Sequence, residues 1–225
     1  MVAPTKQAAS SVRAPKVLVT GFDPFGGDSV NPSWQAAQAL HGRQIAAHRV
    51  VAAQLPTVFG QALTVLGALV REQRPALVIC LGLAAGRAAI SIERVAINVN
   101  DARIPDNMGN QPIDEAIIPG GPAAYFSTLP VKAMRAAIQA KGLPAEVSQT
   151  AGTFVCNHVF YGLMHLLATG PGLKRTRGGF IHVPMLPEQG SPSLKLESLV
   201  DGLRIGIRAA LTTDVDLRQQ AGQIS

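Results

Sequence analysis

Ala76–Gly82 reads ALVICLG, seven residues without a charge, with β-branched Val78 and Ile79 at the centre and glycine at the end. A run this short, apolar on both alternating faces, suits a strand covered above and below, as in a mostly parallel sheet between helices. Upstream, Lys16–Thr20 (KVLVT) has the same character and ends in GFDPFGG, Gly21–Gly27, a glycine- and proline-rich punctuation. Asn31-Pro32 supplies an N-cap followed by proline at the first helical position, which opens a helix through Leu40. A strand is expected over about 44–53 and a helix over 57–73.

Downstream, residues 89–99 alternate, with Glu93, Val95, Ile97 and Val99 on one face and Arg94, Ala96 and Asn98 on the other. Residues 100–127 are rich in Asn, Asp, Pro and Gly, a long surface excursion of the kind that more often serves function than idles. A helix opened by Ser127-Thr128 and Pro130 should stop at Lys141-Gly142. Strands near 145–148 and 179–183, and helices over about 153–168 and 193–211, complete the alternation. The expected fold is therefore α/β: a single-domain α/β/α sandwich with a largely parallel twisted sheet and helices on both faces. The domain spans 16–212, between a flexible N-terminal tail (1–15) and a C-terminal tail (213–225). Such a fold by itself names no chemistry.

Composition removes several classes. With 47% hydrophobic residues in 225, the chain is too apolar for disorder. Lys plus Arg exceed Asp plus Glu by 20 − 14 = 6. These charges are dilute, and ten aromatics offer few stacking platforms for a nucleic acid. Residues 50–70 carry no charge, but Gln54, Pro56, Gly60, Gln61 and Gly67 interrupt them too often for a membrane span. Residues 1–15 lack the continuous apolar run of a signal peptide. Two cysteines exclude a disulfide scaffold and a CxxC site, and a cytoplasmic location is expected. The glycine turn after the first strand lacks GxGxxG spacing, no P-loop pattern occurs, and no His/Cys cluster offers a metal site.

Cys80 sits inside the buried strand and reads as a small hydrophobe. Cys156 admits two readings of equal weight. It belongs to the stripe Cys156, Phe160, Leu163, Leu167, which has helical core spacing. It also follows a strand and a tight Ala151-Gly152 turn, in the first turn of a helix. There the dipole and the free N–H groups lower a thiol's pKa and can hold an oxyanion.

A thiol nucleophile needs a base. His158 is two residues from Cys156 and so does not share its helix face. His165 lies on the polar flank of that helix, and His41 and His48 flank an exposed turn. His182, in FIHVP, stands near the carboxyl end of a late strand, the edge where open α/β sheets bind ligands. Glu93 is a carboxylate on an apolar strand face, which is costly unless paired. Either Arg87 or Arg103 forms a salt bridge with it, or it orients an imidazole.

Taken together, VTGFDPFGG (Val19–Gly27) with Asn31-Pro32-Ser33, GRAAISIERVAINVNDARIPDN (Gly86–Asn107), SQTAGTFVCNHVFY (Ser148–Tyr161) and FIHVP (Phe180–Pro184) resemble the pyroglutamyl peptidase type I family of cysteine peptidases. The resemblance runs from Lys16 to about Leu211. It implies a triad of Cys156 as nucleophile, His182 as base and Glu93 as orienting carboxylate. It also implies that Arg103 lies close to the nucleophile, that Phe22 and Phe25 wall the pyroglutamyl ring, and that Asn31 is a further polar group near the pocket. Some members carry Gln where this chain has Leu83, so no side-chain contact carries over there.

The implied activity is removal of N-terminal pyroglutamate from peptides through a thioester, with no metal or organic cofactor. The implied assembly is a homo-oligomer, often a tetramer. Pyroglutamate is a neutral lactam, so two aromatic walls and a few amide partners suit it. Two alternatives remain open: a thiol amidase for another small amide, and a small-molecule binding module in which Cys156 is core.

Overall fold

The structure, a computed structural model, describes residues 14–222. Most of the expected N-terminal tail, 1–15, lies outside the described residues. The elements run β1 (Lys16–Phe22), α1 (Pro32–Leu40), β2 (Gln44–Ile45), β3 (His48–Leu55), α2 (Gln61–Gln73), β4 (Leu77–Leu83), β5 (Ile90–Glu93), β6 (Val95–Ile97), β7 (Ala124–Phe126), α3 (Val131–Gln139), β8 (Ala145–Ser148), α4 (Val155–Thr169), β9 (Arg177–Val183) and α5 (Leu196–Thr212).

Seven strands form one sheet in the order β2-β3-β1-β4-β9-β5-β8. Its pairs are parallel except β2 with β3 and β5 with β9. Alternate residues of each central strand feed two separate cores. Val17, Val19, Ile79, Leu81, Ile181 and Val183 pack under α1, α3 and α5. Leu18, Val78, Cys80 and Phe180 pack under α2 and α4. This two-sided burial is why the central strands read as unbroken apolar runs. The helix α1 lies directly on β1. A Cβ on Gly21 would meet the Ser33 carbonyl at 2.5 Å, so only glycine permits the approach.

Four expectations change. The segment 44–53 is not one strand but the tight hairpin β2–β3, turned by Ala46 and Ala47, both with positive φ (44° and 62°). Alanine at such positions carries none of the Asn-Gly signature that marks this turn in a sequence. The helix expected from Thr57 begins at Gln61, because Thr57 is held outside it by Asp23.

The alternating segment 89–99 breaks at Arg94. Its N–H donates to the Ser148 carbonyl and its own carbonyl accepts from Ser127, which turns the chain out of the main sheet into the β6–β7 ribbon. Parity therefore fails across the break. Ala96 is the buried ribbon residue, while Ile97 is exposed. Glu93 belongs to the main sheet alone.

Residues 213–222, set apart as a tail in the sequence, dock on the domain. The Asp216 carboxylate accepts from the first-turn N–H groups of Lys132 and Ala133, capping α3, and Ala221 is buried. Among the described residues no helix is long and apolar enough to cross a membrane.

Candidate active site

The chain runs from β1 through α1 to β3 on one side, then through α2 to β4 on the other, with the two helices on opposite faces of the sheet. The strand order thus reverses between β1 and β4, and a crevice opens outside their carboxyl ends. A cavity of about 290 Å³ sits there, lined by Phe22, Phe25, Asn31, Thr57, Leu83, Phe154, Val155 and Cys156, among others. Its size fits a small ring rather than an extended side chain.

Phe22 and Phe25 both line the cavity. A third aromatic wall, Phe154, was not singled out in the sequence. Its ring lies 5.3 Å from Phe25 and packs edge-on at 5.4 Å against Phe59. Its only signal was its place two residues before Cys156. Asn31 lines the cavity, but its side chain is spent on the fold. Oδ1 accepts from Ser33 N and Oγ, and Nδ2 donates to the Asp23 carbonyl. Asn31 thus lies at the pocket and caps α1, shaping the wall. Asp23 fastens the other side, its Oδ1 accepting from Thr57 N and Oγ1.

Glu93 and His182 meet on the same sheet face. Ser91 is in antiparallel register with His182, so Glu93, two residues on, lies diagonally across. His182 Nδ1 and Glu93 Oε1 are 2.7 Å apart, with Glu93 wholly buried and His182 4% exposed. An ionised carboxylate only accepts, so Nδ1 carries the proton and Nε2 presents its lone pair. Arg87 Nη1 donates to the same Oε1 at 2.8 Å. The salt bridge and the imidazole orienter are therefore present together.

Cys156 is the second residue of α4, whose N-cap is Phe154. A phenyl ring cannot cap a helix, so the first-turn N–H groups stay available beside the cavity. The thiol turns inward. A Cβ on Gly82 would lie 2.8 Å from both Cys156 Sγ and the Phe180 ring, and Gly82 is the β4 residue in register with His182. The Cys156 thiol of α4 thus lies over β4, beside His182 on the neighbouring strand β9, and among the described residues it makes no hydrogen bond to His182.

Burial, with the Glu93 carboxylate adding to it and Arg87 opposing, pushes the Cys156 thiol up to about 12. The shift runs opposite to the lowering expected at a helix N-terminus, with desolvation its largest cause and the nearby carboxylate acting the same way. Cys80 is also pushed up to about 12 by burial, consistent with an inert core residue.

Arg103 is exposed and, among the described residues, makes no side-chain hydrogen bond. The excursion that carries it is pinned before it, where Thr153 Oγ1 donates to the Asp101 carbonyl, and after it, where Asp106 accepts from Phe59 N. His158 is structural: Gly60 N donates to its Nε2, its Nδ1 pairs with Asn100 Oδ1, and burial pulls it down to about 4. His165 pairs with the Tyr125 hydroxyl.

Residues 15–213 match the family described as pyroglutamyl peptidase. The chain is 59% identical to a pyrrolidone-carboxylate peptidase of Cupriavidus taiwanensis over 93% of its own length and 99% of that protein. It is 50% identical to one from Bacillus cereus over 92% of its length and 97% of that relative. Among solved structures, pyroglutamyl peptidase I of Bacillus amyloliquefaciens superposes with a TM-score of 0.87 at 49% identity, covering 90% of this chain and all of that one. A pyrrolidone carboxyl peptidase variant from the hyperthermophile Pyrococcus furiosus gives 0.84 at 45% identity, covering 87% and 98%.

Proposed function

The chain belongs to the pyroglutamyl peptidase family of cysteine peptidases, which remove N-terminal pyroglutamate, and on that premise we propose that Cys156, His182 and Glu93 perform the reaction here. The observation that carries this assignment is the Glu93–His182 bond of 2.7 Å beside Gly82, the residue on which the Cys156 thiol rests.

The pyroglutamyl ring enters between Phe22, Phe25 and Phe154. Cys156 Sγ leaves Gly82, gives its proton to His182 Nε2 and attacks the pyroglutamyl carbonyl carbon. The oxyanion is assigned to the uncapped N–H groups at the start of α4, Cys156 N–H among them, rather than to solvent-exposed Arg103. His182 then passes the proton to the peptide nitrogen, the C–N bond breaks, and a thioester remains. Water gives a proton to His182 and adds to the thioester, and the thiol takes the proton back as pyroglutamate leaves. Glu93 holds the Nδ1–H tautomer throughout and stabilises the imidazolium.

A working thiol favours a reducing compartment, which supports a cytoplasmic location. Self-association into a homo-oligomer is supported by the apolar outer face of the β6–β7 ribbon. There Phe126 is 69% and Ile97 37% exposed, on the side opposite buried Ala96. Light scattering on the purified chain tests the assembly.

The central test is a pyroglutamyl-amide reporter assay of wild type beside Cys156→Ser, with circular dichroism to verify folding. Cleavage should vanish in the variant. Full activity there overturns the assignment, and faster cleavage of a prolyl or glutaminyl reporter would favour a different amidase.

A further inference from the structure

The buried Glu93 carboxylate carries more than the imidazole. Arg87 reaches it from the turn between β4 and β5, where Gly86 takes a positive φ of 85° and Arg87 N closes the turn on the Ala84 carbonyl. The guanidinium then forks. Nη1 donates to Glu93 Oε1 at 2.8 Å, and Nη2 donates to the Thr150 carbonyl at 3.1 Å. Thr150 lies in the loop that leads from β8 into α4 and Cys156. The same carbonyl accepts from Ser148 Oγ at 3.0 Å, and Ser148 is in register with Glu93. These contacts close a ring from Glu93 through Arg87 and Thr150 to Ser148 and back to Glu93.

We propose that Arg87 is a positioning residue for the reaction, a fork that locks the Glu93 carboxylate to the loop carrying the nucleophile. The inference rests on the triad assignment above. A planar fork with fixed donors suits this task, since both contacts set the direction of one side chain. Among the described residues Glu93 Oε2 is buried without a partner, so the fork and the imidazole on Oε1 hold the carboxylate's orientation.

The charge of Arg87 acts as well. Among the described residues, Arg87 from the β4–β5 turn bonds Glu93 directly, Cys156 from α4 lies over Gly82 beside His182, and Cys80 of β4 is a buried thiol near Cys156. Of these, Arg87 is the cation. A cation beside the pair lowers its affinity for a proton, whichever of the two groups holds it. Removing the cation therefore raises the pair's affinity for a proton, which moves the acid limb of the rate profile upward.

The test compares Arg87→Met and Arg87→Lys in the pyroglutamyl-amide assay across pH, together with Glu93→Gln, the Arg87→Met/Glu93→Gln pair and Cys156→Ser. The Arg87 side chain is 28% exposed, so both replacements leave the core intact, and thermal melts verify this. Arg87→Met should lower kcat/KM about ten- to a hundred-fold, mostly through kcat. It should also move the acid limb of the profile up by about one pH unit. Arg87→Lys should keep the limb near its wild-type position and recover part of the rate. In the Glu93→Gln background, Arg87→Met should add little.

A wild-type profile in Arg87→Met, or an undiminished further loss in the Glu93→Gln background, overturns the inference. Activity in Cys156→Ser instead overturns the triad beneath it, so the two failures are distinct.

Discussion

Glu93 accepts the Nδ1 proton of His182 at 2.7 Å from a position with no solvent exposure. A carboxylate so buried is tolerable only because it is paired, and the pairing fixes which imidazole nitrogen is left free to accept a proton. Glu93→Gln keeps the shape but can present an amide N–H to Nδ1 and favour the wrong tautomer. It should lower kcat by about two to four orders of magnitude with a much smaller change in KM. Steady-state kinetics on the reporter check this, and a near-wild-type kcat would remove Glu93 from the mechanism.

Burial holds the Cys156 thiol up at about 12, so the substrate-free protein keeps it protonated at neutral pH. Iodoacetamide should therefore alkylate Cys156 slowly near pH ~6 and faster as pH rises, since the thiolate is the reacting form. Fast trapping already at about pH 6, with no rise above it, would mean a standing thiolate–imidazolium pair.

Gly82 is the floor beneath the Cys156 thiol. Gly82→Ala would place a methyl group 2.8 Å from Cys156 Sγ and from the Phe180 ring, which is fully buried. The thiol must be displaced or the core overpacked, the latter costing about 1–3 kcal/mol. Reporter activity should fall at least about tenfold, with a lowered Tm. Unchanged activity and melting would show that the thiol does not depend on that space.

Asp106 anchors the excursion that borders the site. Burial raises its carboxyl pKa. This is outweighed by bonds from the Asn110 side chain and from the N–H groups of Phe59, Asn110 and Met108, so the net shift is downward. A carboxylate lowered on folding stabilises the protein above its ordinary pKa and loses that contribution as pH falls through the folded value. Asp106→Asn should lower Tm most near neutral pH, with the gap to wild type narrowing toward pH ~3. A gap that stays constant with pH would contradict this.

Much of the fold was legible because it depends on local rules. The apolar runs of β1, β4 and β9, the Asn31 cap and the Lys141-Gly142 stop are each written in a few adjacent residues. The hairpin at Ala46-Ala47 and the break at Arg94 were not. Both are set by partners far along the chain: Arg94 leaves the sheet because Ser148 and Ser127 take its backbone groups.

The sequence by itself determined the alternation of strands and helices, the family, and the three side chains proposed for the chemistry. Tertiary structure decided how those side chains meet. Only the antiparallel register of β5 on β9 puts Glu93 diagonal to His182, and only the β4–β9 register puts Gly82 under the thiol beside it. It also decided that Arg87, rather than Arg103, joins Glu93. Residue types are local information. Distances, burial and hydrogen-bond partners between residues tens of positions apart exist only once the sheet has assembled.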